Sequence, residues 1–136
     1  MGLKLNCYWD EINRKIDNSP PFRFALVTFF ITLFLMRIPD LFLRPQFWAE
    51  DGKIFFREEI CFGTESLFKS YQGYYQLLPR LTAYCAGFFD QLYAPAIYCG
   101  TAVFMTGLIV YLALSPRLLL PCKPLLALLI VISPNG

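Results

Sequence analysis

The strongest constraint on this chain is the run from Leu92 to Leu114, LYAPAIYCGTAVFMTGLIVYLAL, which holds 23 residues without a charge. At 1.5 Å per residue a helix of that length reaches about 34 Å, enough for a hydrocarbon core of about 30 Å. Pro95 falls in the first turn of such a helix, where its missing N–H does little harm. Gly100 and Gly107 stand seven apart. They mark either a close-packing stripe or the ordinary tolerance of glycine in membrane helices.

Composition points the same way. Of the 136 residues, 57% are apolar and 16% charged, and mean hydropathy is +0.48. A soluble domain carries about 25% charged residues and needs them to cover its core. Here lipid must do part of the covering. The net charge of +2 and the lack of a basic tract exclude nucleic acid as a partner. There is no histidine, and the five cysteines (Cys7, Cys61, Cys85, Cys99 and Cys122) form no CxxC pair. Histidine triads and histidine-ligated metals within the chain are therefore excluded, and no disulfide framework or thiolate metal site follows.

A first span is expected over residues 22–38, built on the uncharged stretch Phe24 to Met36 with Arg23 and Arg37 able to snorkel. The rival is a cleaved signal peptide. The long charged segment before it and the absence of a small-x-small site after Met36 favour an uncleaved anchor. Residues 1–21 read as a polar N-terminal segment with a weak amphipathic signal from Ile12 to Ile16. Residues 125–136 read as the start of a third span, cut short after the breaks at Pro121, Lys123 and Pro124, which is the ending of a fragment. The expected fold class is thus an all-α membrane protein of two to three transmembrane helices.

The flanks set the orientation. Lys4, Arg14, Lys15 and Arg23 face Asp10, Glu11 and Asp17 before the first span, and the loop 115–124 carries Arg117 and Lys123 with no acid. The loop 39–91, with Arg37 at its edge, is balanced. The N-terminal segment and the loop 115–124 are expected in the cytoplasm, and residues 39–91 outside.

That external loop holds two expected helices. One covers residues 53–60. The other covers 77–90, where Leu77, Leu78, Leu81, Tyr84, Cys85, Phe88 and Phe89 recur at helical spacing opposite Arg80, Thr82, Ala83 and Gly87. An amphipathic helix beside a span lies along the membrane interface or packs on other spans. Tyr74 and Tyr75, in the aromatic run from Ser66, suit the headgroup zone or a sugar or lipid-headgroup site.

The densest chemistry is Phe47-Trp48-Ala49-Glu50-Asp51-Gly52. Of two adjacent carboxylates one can accept a proton from an incoming nucleophile. Either can bind a hard divalent cation, Mg²⁺ or Mn²⁺, that holds a diphosphate. The local alternative is that Asp51 caps a helix starting at Gly52. Arg37, Arg44 and Arg80 are external arginines able to meet a phosphate, and Arg80 sits in the densest part of the loop.

Arg-Ile-Pro-Asp (37–40), Pro-Gln-Phe-Trp-Ala-Glu-Asp-Gly (45–52) and Ser-Leu-Phe-Lys-Ser-Tyr-Gln-Gly-Tyr-Tyr-Gln-Leu-Leu-Pro-Arg-Leu (66–81) resemble the N-terminal part of bacterial multi-pass proteins. Their layout is similar to the GT-C class of polyprenyl-phosphate-sugar-dependent glycosyltransferases. The resemblance covers residues 37–136, the first spans of a fold with eight or more. It implies Asp51 as the essential acid and Glu50 as its neighbour; in such a transferase Asp51 would be base or metal ligand, with Arg80, Tyr74 and Tyr75 the expected substrate contacts. It also implies a polyprenyl-phosphate-sugar donor, the bilayer and further membrane helices as partners, and the bacterial inner membrane as location. The other expectation is a non-enzymatic membrane protein that packs against a partner. A transporter has little support, because no charge interrupts the main span.

Overall fold

The computed structural model describes residues 2–133, with the side chains of residues 2–8 and Phe42 excepted. Among the described residues the regular structure is helical, with turns and loops between the helices and one isolated bridge between Tyr71 and Tyr74. The helices are α1 (Gly2–Asn18), α2 (Pro20–Arg37), α3 (Asp40–Leu43), α4 (Arg57–Phe62), α5 (Leu77–Gly87), α6 (Ala94–Ala113) and α7 (Lys123–Ile132). A π-helical turn, Asp51–Phe56, runs into α4, and 3₁₀ turns cover Gly63–Phe68 and Gln91–Tyr93. Residues beyond 133, part of the expected third span, lie outside the described residues.

The chain divides into two compact units, one formed by the residues up to Ile38 and from Val103 onward, the other by Pro39–Ala102. In the first, α1 is far longer than the weak signal at Ile12–Ile16. It packs on α2 and buries Ile16 completely. Arg23 donates to the carbonyls of Ile16 and Asp17 at 3.4 Å, so a cation closes the exposed carbonyl end of α1. Pro20 and Pro21 open α2, where a missing N–H costs little.

The α7 helix begins at Lys123, because Pro124 suits a first turn and not an interruption. Its start is tied to the end of α1: Lys123 Nζ lies 2.5 Å from Asp17 Oδ1. The Asn13 side chain donates to the carbonyls of Leu120 and Pro121 at 3.1 and 2.8 Å. Its end is tied to α2, where Arg37 donates to Val131 and Ser133 at 2.8 and 3.0 Å. Start meets start and end meets end, so α2 and α7 run in the same direction. Between α2 and α6, Gly107 lets Ile31 approach until an added Cβ would lie 3.0 Å from its Cδ1. Gly100 faces open space, so close packing belongs to Gly107 alone of that pair.

The two long apolar helices, Pro20–Arg37 and Gln91–Ala113 with its leading turn, are only 11% and 22% buried. Phe24, Phe29 and Met36 on α2, and Phe104, Ile109 and Leu112 on α6, are each half exposed or more. Thr28, Thr32 and Thr101 hide their hydroxyls by donating to the carbonyl four residues back, which keeps these surfaces apolar.

In the second unit, Phe55, Phe56, Ala83, Ala86, Ala94 and Tyr98 form the core. The π-turn and α4 pack against α5. The helix expected over 53–60 is wider, opening at Asp51 and closing at Phe62. The helix expected over 77–90 stops at Gly87: Phe88 and Phe89 donate only three residues back, and Asp90 caps the next turn through Leu92 N. Inward, α5 presents Arg80, Thr82, Ala83 and Ala86. Outward it presents Leu77, Leu78, Leu81 and Cys85, with Phe88 after it. Small residues inside allow close approach to the π-turn, and the large apolar ones are left outside, the reverse of a helix on a water-soluble core.

Candidate functional site

Phe47–Gly52 folds as a tight turn, in which the Asp51 amide donates to the Trp48 carbonyl at 2.9 Å. Ala49 adopts φ +42°, a left-handed conformation that costs a non-glycine residue about 1–2 kcal/mol. The turn is held because Phe47 lies flat on Gly52, where a Cβ would come within 2.7 Å of the ring. The Phe47 ring also meets Phe56 and Tyr98, each at a centroid distance of 5.4 Å. Trp48 and Glu50 consequently point out, and Asp51 is half-buried. Asp51 belongs to the π-turn itself. Glu50 holds the capping position, and no side chain there caps the backbone. The alternative in which Asp51 caps a helix starting at Gly52 is thereby corrected: the fold-back of the turn starts the helix one residue earlier. π-Helical turns are rare and recur at functional sites.

Burial raises the Asp51 carboxyl above the ordinary aspartate range and the Glu50 charge raises it further, while a hydrogen bond with the Trp48 backbone works the other way. Tyr98 lies within electrostatic reach of Asp51, Arg80 and Glu59, and its hydroxyl donates to the Pro79 carbonyl at 3.4 Å.

Arg80 is 1% exposed. Its Nη1 pairs with Glu58 Oε2 at 2.8 Å, and its guanidinium sits 5.2 Å from the Phe55 ring centroid. Nε and Nη2 are buried without a hydrogen-bond partner, a condition that costs about 1–3 kcal/mol per group. Glu59, also buried, accepts from the Ser66 hydroxyl.

The structure therefore gathers Asp51 and Arg80 about Tyr98. Tyr74 and Tyr75 stand exposed on a turn formed by Gln72 and Gly73, both at positive φ. Their bonds run to Tyr71 and to the Leu67 carbonyl, and none runs to Asp51 or Arg80. Arg37 serves the end of α7, and Arg44 is exposed. Among the described residues no group of three or more Asp, Glu, Cys or His side chains gathers to hold a metal. Glu58, Glu59, Ser66 and Tyr98 carry no sequence signal; they join the site only through the packing of α5 on the π-turn and α4.

No protein-family model, curated protein or solved structure matches the chain.

Proposed function

We propose that the chain is a non-enzymatic membrane module that presents apolar faces to lipid and to other membrane helices. The observation that carries this is the exposure of both long apolar helices, 11% and 22% buried. A core helix of a soluble protein is mostly buried, and uncovered apolar area on this scale marks a membrane or partner surface. In the second unit the outward leucines of α5 form an apolar face of their own and suit a helix lying in the interface, its one charge turned inward to Glu58. Sidedness has support as well. The N-terminal segment and the loop 115–124, both expected inside, meet through Asp17–Lys123 and Asn13. The shared direction of α2 and α7 is what two outward passes separated by an inward one require. The test is alkaline carbonate extraction of membranes from expressing cells. The chain stays in the pellet under this reading; release into the supernatant contradicts it.

One observation favours a second reading, a transferase using a lipid-linked sugar. Asp51 is half-buried with a raised carboxyl and lies within electrostatic reach of Tyr98, and a poised acid of this kind suits general acid–base work. In this reading Asp51 takes the proton and Glu50 keeps it poised. Asp51→Asn abolishes glycan transfer in cells, and undiminished transfer removes the reading.

A further inference from the structure

The second unit holds a depression of about 310 Å³ lined by Phe56, Glu59, Ile60, Gly87, Phe89 and Gln91. Small-molecule pockets begin at about 300 Å³, so it suits a small ligand. Its one charged side chain is Glu59, 8% exposed. Ser66 donates to Oε2. The other oxygen lies toward Gly87, where an added Cβ would sit 3.5 Å from Oε1 and 3.3 Å from Cγ. The missing side chain at Gly87 is what leaves the carboxylate open to the depression. Arg80, the buried cation among the described residues of this unit, is paired with the neighbouring Glu58 instead.

Ser66 satisfies one oxygen of this buried carboxylate as a neutral donor, and its charge is left without a cation partner of its own. The walls say what kind. Phe56 lines the depression from within and Phe89, 61% exposed, from the rim. Aromatic faces beside a carboxylate attract an alkylammonium through its charge and its methylenes together. A phosphate or carboxylate ligand would be repelled by Glu59. The same unit already shows this chemistry internally, with Lys69 Nζ 2.9 Å from the centroid of Phe62.

We infer that this depression binds a small organic ammonium group, with Glu59 as the counter-ion and Phe56 and Phe89 as aromatic walls. The ammonium comes from an ethanolamine lipid headgroup or from a soluble amine. The site stands on the geometry of the second unit alone and does not depend on the membrane reading.

The test uses the whole chain in an uncharged maltoside detergent, titrated with ethanolamine and, separately, with ethylene glycol as the neutral match, followed by ligand-observed NMR. Saturable binding of ethanolamine and none of the glycol is expected. Glu59→Gln keeps an acceptor for Ser66 and weakens binding by about tenfold or more, the loss typical of a charged hydrogen bond. Phe89→Ala, at an exposed position that spares the fold, weakens it by about threefold. Equal binding of the glycol, or wild-type binding by Phe89→Ala, overturns the proposal even where Glu59→Gln misfolds. In nanodiscs, phosphatidylethanolamine that displaces ethanolamine, where phosphatidylglycerol does not, assigns the site to the headgroup. Undiminished ethanolamine binding in both discs assigns it to a soluble amine.

Discussion

Each unit hides one long basic side chain beside a partly exposed acid, and the two pairs are built differently. Lys123, 2% exposed, meets Asp17 at 2.5 Å and joins the end of α1 to the start of α7. Arg80, 1% exposed, meets Glu58 at 2.8 Å and keeps two further buried nitrogens unpaired. The lysine is a point charge that one partner satisfies. The arginine is a five-donor fork that one carboxylate cannot satisfy. The first pair reads as a tie between segments. The second holds unmet hydrogen-bonding capacity within electrostatic reach of Tyr98, in the unit where the sequence concentrates its acids and aromatics.

The largest expected effect comes from separating these pairs. Glu58→Ala leaves Arg80 buried and uncompensated, and is expected to destabilise the fold by about 3 kcal/mol, measured by thermal unfolding in detergent. The double variant Glu58→Leu/Arg80→Met recovers most of that loss, because no buried charge remains. Asp17→Ala is expected to cost less, about 2 kcal/mol, since a lysine can shed its proton where an arginine cannot. Equal losses at the two sites would erase the distinction between them.

Close-packed glycines sharpen the same contrast. Gly52→Ala drives a Cβ into the body of the Phe47 ring, at 2.7 and 2.8 Å from two ring atoms. It is expected to cost about 2 kcal/mol by overpacking. Gly107→Ala meets only the tip of Ile31 at 3.0 Å, which can turn away, and a cost of about 0.5 kcal/mol or less is expected given alanine's better helix propensity.

The smallest effect is pH-dependent. A carboxyl raised above its unfolded value contributes stability that is complete below the unfolded pKa and is lost as pH rises through the folded one. Asp51→Asn is therefore expected to raise the unfolding temperature at neutral pH and to leave it unchanged under acidic conditions where Asp51 is protonated. A loss of stability at neutral pH would contradict this.

The long apolar helices were legible in the sequence because an uncharged run of helical length carries its own signal, and α2 and α6 fall within a few residues of the expected spans. The spacing of Leu77, Leu78, Leu81 and Cys85 gave α5 its two faces but not which one turns inward. Periodicity alone has no sign where the solvent is apolar, and burial of Arg80 went unread for that reason. The ties Asp17–Lys123 and Arg80–Glu58 span 106 and 22 residues of sequence, and separations of that kind leave no local trace. The π-turn at Asp51 was invisible too, because it depends on Phe47 folding back on Gly52.

The most direct test of the membrane reading uses the chain's own cysteines. Cys61 lies exposed on α4, and Cys122 lies where the loop enters α7. Variants that keep one or the other, expressed in intact cells, are treated with a membrane-impermeant maleimide before and after permeabilisation. Cys61 is expected to be labelled from outside and Cys122 only after the membrane is opened. Equal labelling of both thiols in intact cells, or of neither until lysis, would contradict it.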